Sequence, residues 1–349
     1  WSCIPLHHKV LTICYGFLLS LGFCSSLSAM DYYFSEESQL ESSYPMQIQG
    51  FWHNQVTTGE FQGVDNVPIS YAYSLHPEAV GSIVISSGRI EGFLKYKEVV
   101  FDLYQNHYSV FILDHRGQGL SGRMSDNPHH GYVQDYVDYV QDIKTFYDQV
   151  VTPNTQHKPV LLGHSMGGAI GALYLHQHPQ DFAKAAFTSP MFGIKTPLPM
   201  WLAKALISSG QTLNHWFASR PWYFLGQGDY LAVPFALNVL THSKARYQIF
   251  RQEYEQEPRL QLGGVTFNWL DASIHAMHRI AELATQIQTP VLVLQAGADM
   301  VVENSAQDHV CAMMPNCRLV QIDKAKHELL MEADPFRQPV MQQILDFLR

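Results

Sequence analysis

From Gly59 onward, short β-prone apolar runs alternate with stretches whose apolar residues recur at helical spacing, which predicts a mostly parallel sheet with helices on both faces. The predicted strands are VPISYAYS, GSIVISS, YSVFILD, KPVLLGHS, AKAAFTSP, PVLVLQAG and CRLVQID. The last five are almost continuously apolar, as strands covered on both faces are. Between them, Phe93, Tyr96, Val100, Leu103 and Tyr104 form one helical stripe, and Tyr136, Val137, Val140, Ile143 and Tyr147 form another. The alternation stops after Pro190 and resumes at Pro290. The stretch from Met191 to His275, rich in Trp, Phe and Leu and without a clear strand, is read as a helical cap inserted between strands. This predicts a doubly wound α/β domain over residues 57–349, interrupted by a cap over 191–275.

Two segments precede that domain. Residues 1–29 place His7, His8 and Lys9 before an uncharged apolar run and end on Ser26, Ser28 and Ala29, the layout of a cleaved signal peptide. The rival reading is an inner-membrane anchor, because Val10 to Leu27 nearly reaches the roughly 20 residues a span needs. Either predicts a chain that leaves the cytoplasm, periplasmic or secreted if cleaved. Residues 30–56, rich in Ser and Glu, read as a loose polar connection. Cys311 and Cys317 are the body's two cysteines; in an exported protein they suggest a local disulfide, against an equal reading as two free thiols.

Composition narrows the function classes. Of 349 residues, 31 are acidic and 22 basic, a formal net charge of −9 with no basic cluster, so no nucleic-acid partner is expected. No CxxC or HExxH occurs, so no metal site is expected.

The strongest chemical signal is VLLGHSMGGAIGAL, an apolar strand, then Gly163, His164, Ser165, Met166 and Gly167, then a helix of small residues. This is a G-x-S-x-G nucleophile elbow in its strand-turn-helix setting, where flanking glycines let a strained serine project at the top of the sheet. A serine nucleophile needs a base and an acid to orient it, following it in the order acid, then His. Asp299 just past VLVLQAGA and His327 after RLVQIDKAK fall beyond strand ends, which share one edge with Ser165. Asp323 and Glu328 are the competing carboxylates.

GHSMGG, LDHRGQGLSGR, AGADMVV and KHELLME together resemble the serine hydrolases of the α/β-hydrolase fold, in the group of monoacylglycerol lipases and lysophospholipases. ISSGRIEGFLKYKEVVFDLY, NVLTHSKARYQ and PRLQLGGVTFNWL look like the bacterial lysophospholipase L2 branch. The resemblance spans about Phe51 to Arg349 and implies hydrolysis of a fatty acyl ester on a lysophospholipid or monoacylglycerol, without metal or cofactor and with transient contact at a membrane surface. A serine aminopeptidase on the same fold is the alternative, and a non-catalytic lipid-binding protein a third. The monoacylglycerol lipases carry HGxGEH after the third strand; here the run is Ser87, Gly88, Arg89, Ile90, Glu91, Gly92, with Ser for His. The resemblance implies that the backbone N–H groups of Arg89 and Met166 form the oxyanion hole. It leaves the Arg89 side chain with two readings, an anionic head group or a salt bridge to Glu91. Arg116 and Gln118 are expected to hold the loop beside the elbow.

Overall fold

The computed structural model describes residues 32–196 and 198–349; the leader reading falls outside them. Strands β1 (Thr57–Gln62), β2 (Pro68–Ser74), β3 (Gly81–Ser86), β4 (Tyr108–Leu113), β5 (Val160–His164), β6 (Ala185–Thr188), β7 (Val291–Ala296) and β8 (Cys317–Ile322) form one sheet. Their order is β1-β2-β4-β3-β5-β6-β7-β8. β1 and β2 are antiparallel additions at one edge; every pairing from β4 to β8 is parallel. The chain leaves β3 for β4 on one side and returns as β5 on the other. The loops after β3 and β5 therefore diverge at this switch point and open a crevice at the carboxyl edge of the sheet.

β4 to β7 are buried at every position, which accounts for their apolar runs. CRLVQID departs from that expectation: β8 closes the sheet as an edge strand and is half-buried at best. β1 was not foreseen. Its TTGEFQ is mostly exposed and buries Phe61 alone, so too little apolar periodicity marks it. The helices comprise α1 (Leu40–Ser43), α2 (Gln49–Gln55), α3 (Lys97–Gln105), α4 (Tyr136–Phe146), α5 (Met166–Gln177), α6 (Met200–Phe217), α7 (Lys244–Gln256), α8 (Phe267–Leu283), α9 (Asn304–Met313) and α10 (Asp334–Leu348). In α4 the buried stripe runs through Tyr136, Tyr139, Val140 and Ile143, while Val137 is exposed.

The segment read as a loose polar connection is instead largely helical from Glu37 to Gln55. Leu40, Tyr44, Ile48, Phe51 and Trp52 lie one helical turn or less apart and are all buried. Polar side chains fix it further: Ser35 Oγ donates to Asp102 Oδ1 at 2.6 Å, and Tyr44 OH to Glu253 Oε1 at 2.9 Å. The cap boundary at His275 also shifts. That residue lies inside α8, whose Trp269, Leu270, Ile274, Met277 and Ile280 join the main core beside α5 while the helix also packs against α6, so α8 ties the insertion to the core and the boundary does not fall at His275. Cys311 in α9 and Cys317 in β8 are joined by a disulfide with Cα atoms 5.3 Å apart.

Candidate active site

The elbow is built by close packing. β5 ends at His164, α5 begins at Met166, and Ser165 between them is forced to φ 51° and ψ −115°. Such a backbone is costly for a residue with a Cβ and points its side chain away from both flanking elements. Gly167 permits it: a Cβ there would stand 2.0 Å from the Ser86 carbonyl oxygen, so only glycine lets α5 approach the end of β3 this closely.

Three loops bring the predicted residues together. His327 Nδ1 lies 2.7 Å from Asp299 Oδ2, and His327 Nε2 lies 2.9 Å from Ser165 Oγ. An ionised carboxylate only accepts, so Nδ1 carries the proton and Nε2 is left to accept from the serine hydroxyl. The other Asp299 oxygen accepts the N–H groups of Val301 (2.7 Å) and Val302 (3.0 Å). Burial alone would raise the Asp299 carboxyl; the His327 bond and these amides outweigh it and hold the group below its ordinary value. Of the competing carboxylates, Asp323 is exposed. Glu328 is buried, but its Oε1 accepts from Lys95 Nζ at 2.6 Å.

Arg89 lines the cavity over Ser165, and Met166 follows Ser165 directly in the chain. Met166 is the first residue of α5, so its N–H has no intrahelical acceptor, and Arg89 opens the turn after β3. That turn is held from several sides. Gly88 N–H donates to Glu91 Oε2 at 2.6 Å, Tyr96 OH to the same oxygen at 2.7 Å, and Lys95 Nζ to Glu91 Oε1 at 2.9 Å. Burial would raise Glu91, but the Lys95 ammonium and the Tyr96 hydrogen bond draw it down to about 2. Gln118 Nε2 donates to the carbonyls of Gly88 (2.7 Å) and Glu91 (2.8 Å), and Arg116 forms a bidentate pair with Asp142 at 2.6 and 2.9 Å. Both act as loop clamps. Ile90 has φ 65°, rare for a β-branched residue, and its carbonyl accepts from Tyr254 OH in the insertion.

His164 faces inward. Its Nδ1 lies 3.1 Å from the Thr188 carbonyl, and burial, only partly opposed by Glu91, lowers it to about 4, so it stays neutral. One positioning residue had no sequence signal: Ser189, at φ 45°, donates from Oγ to the His327 carbonyl at 2.8 Å and fixes the histidine loop. The Lys95–Glu91–Glu328 cluster was likewise missed, because Glu328 lies 233 positions from Lys95 and meets it only in the fold.

Above Ser165 opens a cavity of about 490 Å³, walled by Met191, Ile194, Leu240, Phe250, Trp269 and Leu270 and bordered by Arg89, Arg251 and Lys195. A larger cleft of about 630 Å³ lies between α1 and α7 but holds none of the reactive side chains. Among the described residues no group of three His, Cys, Asp or Glu side chains could hold a metal ion.

A family profile described as "Serine aminopeptidase, S33" (Hydrolase_4) matches residues 77–334. The chain is 38% identical over 309 residues to lysophospholipase L2 of Escherichia coli K12, covering 86% of this chain and 89% of that one. It is 32% identical over 299 residues to the probable lysophospholipase L2 of Haemophilus influenzae, covering 84% and 92%. A soluble variant of monoglyceride lipase from Saccharomyces cerevisiae, solved with a substrate analogue, superposes with a TM-score of 0.64 at 19% identity, covering 84% of this chain and 94% of that one, a likeness of fold. The chain thus belongs to the Hydrolase_4 family and is a lysophospholipase-like carboxylic-ester hydrolase of the α/β-hydrolase fold.

Proposed function

We propose that the chain hydrolyses the acyl ester of singly acylated lipids, lysophospholipid or monoacylglycerol, through an acyl-enzyme on Ser165. The observation that carries the chemistry is the unbroken bond chain Ser165 Oγ, His327, Asp299 at the floor of the cavity. Ser165 Oγ attacks the ester carbonyl while His327 Nε2 takes its proton, and Asp299 stabilises the imidazolium. The carbonyl oxygen, now negative, accepts from the Arg89 and Met166 amides. Collapse breaks the ester C–O bond, and the departing glyceryl oxygen receives the proton from Nε2. Water then attacks the acyl-enzyme, with His327 as base, and releases the fatty acid.

The apolar walls and the names of the relatives support a lipid substrate. Each CH₂ of an acyl chain buried there stabilises the complex by about 0.8 kcal/mol. Peptide hydrolysis from an amino end needs a carboxylate for the substrate ammonium. The carboxylates bordering the cavity, Glu91 and Glu328, both bond Lys95. The exposed apolar residues of α6, Trp201, Trp216 and Phe217, support transient contact with a membrane surface. The disulfide supports an oxidising compartment and hence export.

A fluorophosphonate should label the protein and fail to label Ser165→Ala, whose kcat should fall roughly 10⁴-fold or more with unchanged unfolding temperature. Rates on monoacyl esters should rise with chain length until the cavity is filled, and diacyl lipids should react poorly. Preferred cleavage of aminoacyl amides, or a flat chain-length profile, rejects the lipid reading.

A further inference from the structure

The cavity over Ser165 carries more positive charge than its carboxylates neutralise. Glu91 and Glu328 are both engaged by Lys95, Asp299 is engaged by His327, and Lys195 donates to the Asp299 carbonyl at 2.5 Å. Two arginines that line the cavity remain without an ion pair among the described residues.

The first is Arg89, in the turn after β3. It does not reach Glu91, the salt bridge that was one of its two sequence readings. Its Nη2 instead donates to the Gly263 carbonyl at 2.5 Å, its guanidinium lies 5.3 Å from the Trp269 ring centre, and its Nε is buried without an acceptor. Burial draws Arg89 down to about 10, with only the neutral hydroxyls of Tyr139, Tyr136 and Tyr223 set against that loss. The second is Arg251, on α7. Its Nη1 and Nη2 donate to Tyr230 OH (2.9 Å) and Tyr247 OH (3.0 Å), it stacks 4.7 Å from the Phe250 ring centre, and its Nε too is buried without an acceptor. Hydroxyls, a carbonyl and ring faces orient these cations without cancelling their charge.

Withdrawing a guanidinium from water without a counter-ion is unfavourable, so such groups at a ligand cavity mark where the ligand brings negative charge. The planar fork of arginine suits two oxygens of one phosphate. Among singly acylated lipids, the feature that separates a lysophospholipid from a monoacylglycerol is that phosphodiester.

Resting on the ester-hydrolase reading above, we propose that Arg89 and Arg251 recognise the phosphodiester of a lysophospholipid head group and set the preference for it over neutral monoacylglycerol. The Arg89 backbone and side chain then serve two parts of one substrate, the N–H facing the ester oxygen and the guanidinium facing the phosphate beyond it. The missing histidine of the HGxGEH pattern matters less than the arginine two positions later.

The test is the ratio of kcat/KM for a lysophospholipid to that for a monoacylglycerol of the same acyl chain, both presented as monomers. It is measured for the wild type, Arg89→Gln, Arg89→Lys and Arg251→Gln, with neutral fluorophosphonate labelling to show that each variant is folded. Arg89→Gln should lower the ratio ten- to hundredfold, the range for loss of a charge-assisted contact. Arg89→Lys should recover part of it, and Arg251→Gln should lower it in the same direction. If both rates fall together and the ratio stands, Arg89 only supports the oxyanion turn and the proposal is wrong. If Arg89→Gln cannot be folded, an unchanged ratio in Arg251→Gln overturns it equally. Inorganic phosphate added to the monoacylglycerol assay separates a free-phosphate site: inhibition that disappears in Arg89→Gln while the lipid ratio stands would assign the arginines to that ion. A wild type that cleaves neither lipid removes the ester reading, and this proposal with it.

Discussion

Helices α6 and α7 belong to the same insertion, and the more apolar of the two is the more exposed. α6, MWLAKALISSGQTLNHWF, buries only Ala203, Ile207 and Asn214 and leaves Trp201, Trp216 and Phe217 at 71%, 71% and 73% exposure. α7, KARYQIFRQEYEQ, is rich in charge, yet Arg246, Tyr247, Phe250, Glu253 and Tyr254 are all buried. Partners account for the reversal. Arg246 donates from Nε to Glu98 at 3.0 Å and from Nη2 to Asp334 at 2.7 Å, while Glu253 accepts from Lys97 at 2.8 Å and from Tyr44 OH. These bonds run from α7 to α3, α10 and the N-terminal helices, so α7 is part of the frame that carries Arg251 and braces Ile90. Hydropathy alone therefore misassigns the two halves: charged residues bury when each finds its counter-ion, and apolar ones stay outside when none of the described residues covers them.

The largest expected effect tests the frame. Arg246→Met leaves Glu98 buried without its closest cation and should cost about 3–5 kcal/mol of unfolding free energy. Denaturant unfolding measures it; a loss below 1 kcal/mol would mean that packing, and not the ion pairs, holds α7.

A smaller effect concerns the floor of the site, to which the frame is fixed. His164 sits at about 4, below its ordinary 6.5, so between those values the unfolded chain binds a proton that the folded chain does not. Stability from this group is present above pH 6.5 and is lost as the pH falls towards 4, by about 1.4 kcal/mol per pH unit within that window. His115, lowered to about 3 by burial, acts in the same direction, and Asp114, raised to about 7 by burial, acts in the opposite one. The difference between wild type and His164→Asn isolates the contribution, and parallel stability curves for the two proteins would refute it.

The smallest effect on stability belongs to α6. Trp216→Ser with Phe217→Ser should change unfolding free energy by roughly 0.5 kcal/mol or less, as exposed substitutions do. Hydrolysis of lipid presented on vesicles should drop several-fold while hydrolysis of monomeric lipid holds. Equal loss on both presentations would make α6 a wall of the cavity and erase its contrast with α7.

What the sequence determined by itself is local or ordered along the chain. The elbow is legible because an apolar strand, a glycine-flanked serine and a small-residue helix lie within fourteen consecutive positions, VLLGHSMGGAIGAL. Asp299 is legible because the buried strand before it is marked by its apolar run, and His327 because it follows the last strand of the parallel series, whose ends share one edge. Tertiary structure decided what depends on distant partners. The N-terminal helices were hidden because Leu40, Tyr44, Ile48, Phe51 and Trp52 are spaced among serines and glutamates, and β1 because an exposed edge needs only Phe61. Glu91 bonds Lys95 rather than Arg89, and Ser189 holds the His327 loop, through contacts that no spacing reveals. Backbone conformation and burial pattern leave a periodic trace in sequence because they repeat over neighbouring residues. The choice of a counter-ion leaves none, because it is settled by which side chains the completed fold brings within about 3 Å of one another.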